Sequence, residues 1–262
     1  MTLQRKVLTE MITSKDNQKL KQIRKLLSPS GIKKSELFII EGERAVMDAV
    51  SSGVCLSYIL IREDYKGNIP TEDYEIVSSS LFSEFCETDS PQGIIAVAKK
   101  FSYTITDIAP GPLLYTDGVR DPGNLGTLIR SADAFGFSGV LLSPDTVSVY
   151  NPKVVRSTMG SIFHLPILKN ISNDQIIRMK ENYLLAGGVL NPNSTSLTDT
   201  IFSKNTIVVI GNEANGINKD LVSSLSLPVY IPMSGKAESL NAAVAGGILM
   251  YTVSIHTTTS ED

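Results

Sequence analysis

The spacing of apolar and polar positions along the chain alternates between a helical period and a strand period. Leu20 to Leu27 carries apolar residues at helical spacing, and Ser28-Pro29-Ser30-Gly31 breaks it with turn-forming residues. A strand is expected at Glu36 to Ile40, then a helix at Glu43 to Ser52 with Ala45, Val46, Ala49 and Val50 inward, then a strand at Leu56 to Ile61. Further strands read at Tyr74 to Val77 and Gly93 to Ala98, around a helical stretch near Leu81 to Cys86. From Lys99 to about Gly111, charge, Thr and Ser and the Pro110-Gly111-Pro112 run mark a linker. The alternation then restarts: strand Leu113 to Thr116, helix Leu125 to Phe135, strand Gly139 to Leu142, helices near Pro152 to Ser161 and Asp174 to Asn182. Strands Tyr183 to Gly187, Thr206 to Ile210 and Val229 to Ile231 and a helix Ser239 to Ser254 complete it. This pattern predicts two α/β units, 1–105 and 106–262, the second with strands buried on both faces.

The closing helix has no polar side: Ala242 through Met250 is wholly apolar or glycine. A helix of that kind is covered all round, by the core or by a second subunit.

Composition narrows the class. With 262 residues and 42% hydrophobic content, the chain supports two cores. Cys55 and Cys86 have no metal-ligand spacing and read as buried small apolar residues, so no metal is expected. No leader-like segment opens the sequence, and Leu240 to Val253 is shorter than the roughly 20 residues of a membrane span, so a cytoplasmic protein is expected. The net charge of −3 excludes a general polycation, yet residues 1–44 hold ten Lys and Arg against five Asp and Glu. Lys15, Lys19, Lys21, Arg24, Lys25, Lys33 and Lys34 crowd around Asp16, a footprint that suits either phosphates or a solvated helix face.

Three segments can carry chemistry, each a strand end followed by a loop with Gly and short polar side chains. The first is Asp117-Gly118-Val119-Arg120-Asp121-Pro122-Gly123-Asn124, with Asn124 at the expected N-cap of a helix that carries Arg130. The second is Gly211-Asn212-Glu213-Ala214-Asn215-Gly216, where Gly permits close backbone approach. The third is Ile231-Pro232-Met233-Ser234-Gly235-Lys236-Ala237-Glu238-Ser239-Leu240-Asn241, with Ser239 as the expected N-cap and Asn241 in the first turn. Strand ends of an open α/β sheet bind ligands, so these loops are expected to wall one pocket for a neutral or zwitterionic ligand. None of them matches GxGxxG or GxxxxGK[ST], which disfavours nicotinamide and nucleoside triphosphate chemistry.

In this order the segments resemble the three motifs of the SpoU/TrmH family of RNA ribose 2′-O-methyltransferases, in the SPOUT superfamily. Arg120 to Gly126 with Arg130, Ala132 and Ala134-Phe135-Gly136 resembles the first motif, Gly211-Asn212-Glu213 with Gly216 the second, and Ile231-Pro232-Met233 with Gly235 and Ser239-Leu240-Asn241 the third. Asn151 to Arg156 with Met159-Gly160 and Pro166 is similar to the connecting region, and Phe38 with Glu41-Gly42-Glu43-Arg44 to an N-terminal substrate-binding domain like ribosomal protein L30e. The resemblance implies an α/β fold with a C-terminal trefoil knot in a parallel sheet, a homodimer through the C-terminal domain, and S-adenosyl-L-methionine as cofactor. By the same resemblance Gly211, Ile231, Leu240 and Met233 would hold the cofactor, with Ala186 and Gly187 as further candidates. Arg130 would deprotonate or orient the ribose 2′-hydroxyl, Asn124 would orient the ribose, and Glu213, Ser239 and Asn241 would shape the site. RNA would be held by Lys15, Lys21, Arg24, Lys25, Lys33, Lys34 and Arg44. The substrate implied is ribosomal RNA. Transfer RNA methylation, or RNA or ribosome binding without catalysis, are the alternatives.

Overall fold

A computed structural model describes residues 11–86 and 91–258. The chain forms two compact units, one built from residues up to Lys100 with Tyr150–Phe163, the other from Phe101–Val149 with the residues from His164 onward.

The first unit contains α1 (Gln18–Leu26), α2 (Pro29–Lys34), β1 (Leu37–Glu41), α3 (Glu43–Ser51), β2 (Leu56–Arg62), β3 (Glu75–Val77), α4 (Ser79–Ser83) and β4 (Ile94–Lys99). Its sheet has the order β1-β4-β2-β3, with β4 antiparallel to both neighbours and β3 parallel to β2. Asn17 caps α1 by accepting from the Lys19 and Leu20 amides, and Leu20, Ile23 and Leu26 are buried with Ile39, Leu60 and Val97. Each such aliphatic side chain contributes about 2 kcal/mol of burial. The break after Leu27 is real, but Pro29 takes the first position of a second helix, with Ser28 accepting from the Gly31 amide. Val46 and Ala49 of α3 face inward as expected, whereas Val50, in the last turn, is exposed. Cys55 is also exposed, because it lies in the turn before β2, and Cys86 is half-buried.

The second unit contains β5 (Leu113–Asp117), α5 (Pro122–Ala134) and β6 (Gly139–Leu142). The chain then passes through α6 (Pro152–Ser157), which belongs to the first unit. It returns for β7 (Ile167–Leu168), α7 (Asn173–Arg178), β8 (Leu184–Gly188), β9 (Thr195–Ser196), β10 (Thr206–Gly211), α8 (Lys219–Ser224), β11 (Leu227–Tyr230) and α9 (Ala242–Thr258). Within the first unit, Arg156 of α6 pairs with Glu41 at 3.1 Å and Tyr150 packs on Phe38 at 4.9 Å.

Seven strands in the order β7-β6-β5-β10-β8-β11-β9 pair in parallel throughout, so the expected parallel α/β sheet is present. Leu113, Tyr115, Leu141, Leu185, Ile207 and Val209 form one side of its core. Helix α9 packs on α5 and β10. Gly246 permits that approach, since a Cβ there would lie 2.3 Å from Leu128 Cδ2. The expectation that α9 has no wet face fails for the single chain: Val244, Tyr251 and Ile255 are 51%, 54% and 42% exposed. One helix face meets the sheet and α5, and the face with Val244, Tyr251 and Ile255 is left half-exposed, with Phe135 beside Tyr251.

Candidate functional site

The parallel ladder sets Gly211 beside Asp117, so the loops that follow β10 and β5 leave the sheet together. Their side chains tie them. Asn212 Nδ2 donates to the Gly118 carbonyl at 2.8 Å while its Oδ1 accepts from the Ala214 and Asn215 amides. The Asn218 amide donates to Asp117 Oδ2 at 2.6 Å. The loop after β10 turns back at once, with Asn212 and Gly216 exchanging backbone hydrogen bonds of 3.0 and 2.9 Å. A Cβ on Gly211 would lie 2.2 Å from the Gly216 carbonyl carbon, so that position accepts only glycine without backbone movement.

Helix α5 begins three residues earlier than its apolar period suggests. Asp121, not Asn124, is the N-cap, and it accepts from the Asn124 amide at 2.8 Å. Asn124 therefore sits in the first turn with its side chain free for other partners. Its Nδ2 donates to Glu213 Oε1 at 3.0 Å, and its Oδ1 accepts from Asn241 Nδ2 at 2.9 Å. Asn241 in turn accepts from the Ala243 and Val244 amides, so it is the cap of α9, and Ser239 lies in the preceding loop. Pro122 at the first helical position starts α5 ahead of its apolar run, whereas α9 starts with its apolar run at Ala242, which makes Asn241 and not Ser239 its cap.

Glu213 thus joins the first and second segments, and Asn124 joins both to the third. The Arg120 and Asp121 amides also donate to the Glu213 carboxylate, at 3.2 and 3.1 Å. Burial pushes its pKa up, but the Asn124 side chain and the backbone amides around it prevail and hold it below the ordinary glutamate value.

Beside this chain of hydrogen bonds opens a cavity of about 720 Å³. Gly211, Ile231, Met233 and Leu240 line it, as do Glu213, Ser239 and Asn241. Ala186 and Gly187 do not. They are buried deeper in β8, where Ile217 and Leu225 fill the space a Gly187 side chain would need. The wall is formed instead by Gly188, Val189 and Leu190, the strand end proper, together with Tyr230, and these were missed. Asn212, read in the sequence only as part of the second motif, ties the loops here, in keeping with the turn signal of an Asn directly after a strand-terminal Gly.

Arg130 lies on the exposed side of α5 and makes no hydrogen bond or ion pair with the described residues, so the structure does not bring it into the Glu213–Asn124–Asn241 chain. In the first unit, Lys21 pairs with Asp16 at 2.8 Å and Arg44 with Asp48 at 3.9 Å. Lys15 and Arg24 both meet Glu84, and Lys19 meets Glu75. Three of the seven cluster residues, Lys15, Lys19 and Arg24, are thus countered by acids folded in from afar, and Lys21 by the local Asp16. Lys25, Lys33 and Lys34 remain exposed without such partners among the described residues.

A parallel sheet whose strand-end loops lock together around one cavity defines a ligand-binding α/β unit of open-sheet type. Residues 112–251 match the SpoU rRNA methylase family and residues 17–96 the MRM3-like substrate binding domain, and the chain belongs to the SpoU rRNA methylase family. It is 34% identical over 247 residues to the Bacillus subtilis 23S rRNA (guanosine(2553)-2′-O)-methyltransferase RlmP, a match covering 92% of this chain and 98% of that protein. The crystal structure of AdoMet-bound rRNA methyltransferase from Sinorhizobium meliloti superposes with a TM-score of 0.83 at 29% identity, covering 94% of this chain and 98% of that one. The SpoU methyltransferase AviRb of Streptomyces viridochromogenes, in complex with AdoMet, superposes with a TM-score of 0.80 at 27% identity, covering 91% and 97%. The family resemblance read from the three motifs is borne out, and with it the class of RNA methyltransferase.

Proposed function

We propose that this methyltransferase transfers the methyl group of S-adenosylmethionine to a ribose 2′-hydroxyl of ribosomal RNA. The observation that carries the reading is the Glu213–Asn124–Asn241 chain, which joins all three motif loops at the rim of one cavity. The cavity's volume and its apolar walls at Leu240 and Leu249, with backbone exposed at Gly211, suit a ligand of nucleoside size. When bound there, S-adenosylmethionine supplies an electrophilic methyl group.

The protein's own residues do the rest. Asn124, pinned between a carboxylate and a second amide, is held in one rotamer and positions the ribose. Ser239 and Asn241 shape the same rim. Arg130 keeps its guanidinium unspent, and its fork of N–H donors acts by orienting the 2′-oxygen and stabilising the charge that develops on it. Lys25, Lys33 and Lys34, with Lys15, Lys21, Arg24 and Arg44, form the RNA-holding surface of the N-terminal domain, read as L30e-like. The B. subtilis relative, a 23S rRNA 2′-O-methyltransferase matched over nearly its full length, supports ribosomal RNA as substrate.

Three further features belong to this reading. A trefoil knot accounts for the insertion of β10 between β5 and β8 and for the packing of α9 back on both α5 and β10. A homodimer through α9 covers Val244, Tyr251 and Ile255. The protein acts in the cytoplasm, and among the described residues no helix is long and apolar enough to cross a membrane.

The test is Arg130→Ala. Methyl transfer to ribosomal RNA, followed by mapping ribose methylation, is expected to fall at least a hundredfold while S-adenosylmethionine binding by calorimetry stays intact. Wild-type activity in that variant would remove Arg130 from the mechanism.

A further inference from the structure

The charges at the cavity wall are all of one sign. Among the described residues that line the cavity, Glu213 and Glu238 are the charged ones, and no Lys, Arg or His is among them. Glu213 is committed to Asn124 and two backbone amides. Glu238 has no hydrogen bond or ion pair with any described residue, and Lys236, two positions away on the same loop, is exposed and does not line the cavity.

We infer that Glu238 makes this cavity select by charge between the methyl donor and the demethylated product, an inference that rests on reading the cavity as the S-adenosylmethionine site. The donor carries a sulfonium and an ammonium against one carboxylate, a net charge of plus one. Methyl transfer breaks the sulfur–methyl bond with its electron pair staying on sulfur, forms the oxygen–methyl bond and releases the hydroxyl proton to solvent. The product left behind, S-adenosylhomocysteine, is a thioether zwitterion with no net charge. Apart from the methyl group, the two molecules have the same shape, so apolar walls and backbone contacts hold them about equally. A wall carboxylate attracts the donor, with its additional positive charge, more strongly than the zwitterionic product. Such a wall favours exchange of spent cofactor for fresh, which a site relying on shape alone does not.

Glu238 is exposed, so the attraction is screened by water and salt and amounts to a modest factor in affinity. Calorimetry on the full-length protein would measure S-adenosylmethionine, S-adenosylhomocysteine and sinefungin, in which an ammonium group restores the positive charge, at about 0.05 and 0.5 M salt. For Glu238→Gln the expected result is a fall of about three- to ten-fold in affinity for the donor and for sinefungin at low salt, with a smaller change for the product. Retained product binding also reports an intact fold. Glu238→Lys should move the donor-to-product ratio further in the same direction, and in the wild type high salt should erode that ratio.

Two results overturn the inference. One is a donor-to-product ratio in the Gln variant equal to that of the wild type, whether both ligands hold or both weaken together. The other is a wild type that binds neither S-adenosylmethionine nor S-adenosylhomocysteine. That second result would take the functional reading of the cavity down as well, whereas the first would leave it standing.

Discussion

Glu213 is the residue on which the candidate site is hinged. Its carboxylate accepts from Asn124 and from two backbone amides, and its pKa lies below the ordinary value of 4.5 because those donors outweigh burial. A carboxyl group with a depressed folded-state pKa contributes stability that is present above its unfolded value and lost as pH falls through the folded one. The melting temperature of the wild type should therefore exceed that of Glu213→Gln at neutral pH. The gap should narrow as pH falls below about 4.5, and thermal melts of both proteins across the acid range check it. A constant gap down to strong acid would mean that the Gln amide disrupts packing, not a charged acceptor. The role of Glu213 was half legible in sequence, where an acid behind a strand-end Gly-Asn was noticed. Its partners were not, because Asn124 lies 89 residues away and Asn241 lies 117 from Asn124.

Among the elements, α5 and α9 show how far periodicity reaches. Both helices were expected from their apolar runs, and both exist. Their starts were misplaced, since Asp121 and Asn241 cap them. The difference matters for function: as a cap, Asn124 would spend its oxygen on its own helix, whereas one turn inside it faces two other loops. Between the two helices, Gly246 is required by contact. A Cβ there would meet Leu128 at 2.3 Å and Ile210 at 3.3 Å, and both neighbours are buried. Gly246→Leu should cost about 1–3 kcal/mol by overpacking. It should also loosen the Asn241–Asn124 contact at the head of α9, so that donor affinity falls along with the melting temperature. Calorimetry and a thermal melt read the two effects. An unchanged melting temperature would show that α5 and α9 separate freely.

At the scale of the molecule, the apolar face of α9 calls for a partner, and under the proposed function that partner is a second copy of the chain. Val244, Tyr251 and Ile255 lie along one side of the helix, and Phe135 of α5 packs against Tyr251 at 5.7 Å between ring centroids. Tyr251→Glu should shift the protein from dimer to monomer in sedimentation velocity, since a buried unpaired carboxylate is costly. A dimer that persists would place the interface elsewhere. The sequence alone determined the alternating α/β pattern and the three strand-end loops, since each depends on residues near one another in the chain, but not that Tyr150–Phe163 join the first unit. The motif order sufficed for the family. Only the tertiary structure decided that Asp121 and Asn241 are the caps, that Leu190 and not Ala186 walls the cavity, and that Glu75 and Glu84 counter Lys15, Lys19 and Arg24. The physical reason is the same in each case. Parallel strand order and loop return set which distant groups meet, and local spacing carries no record of either.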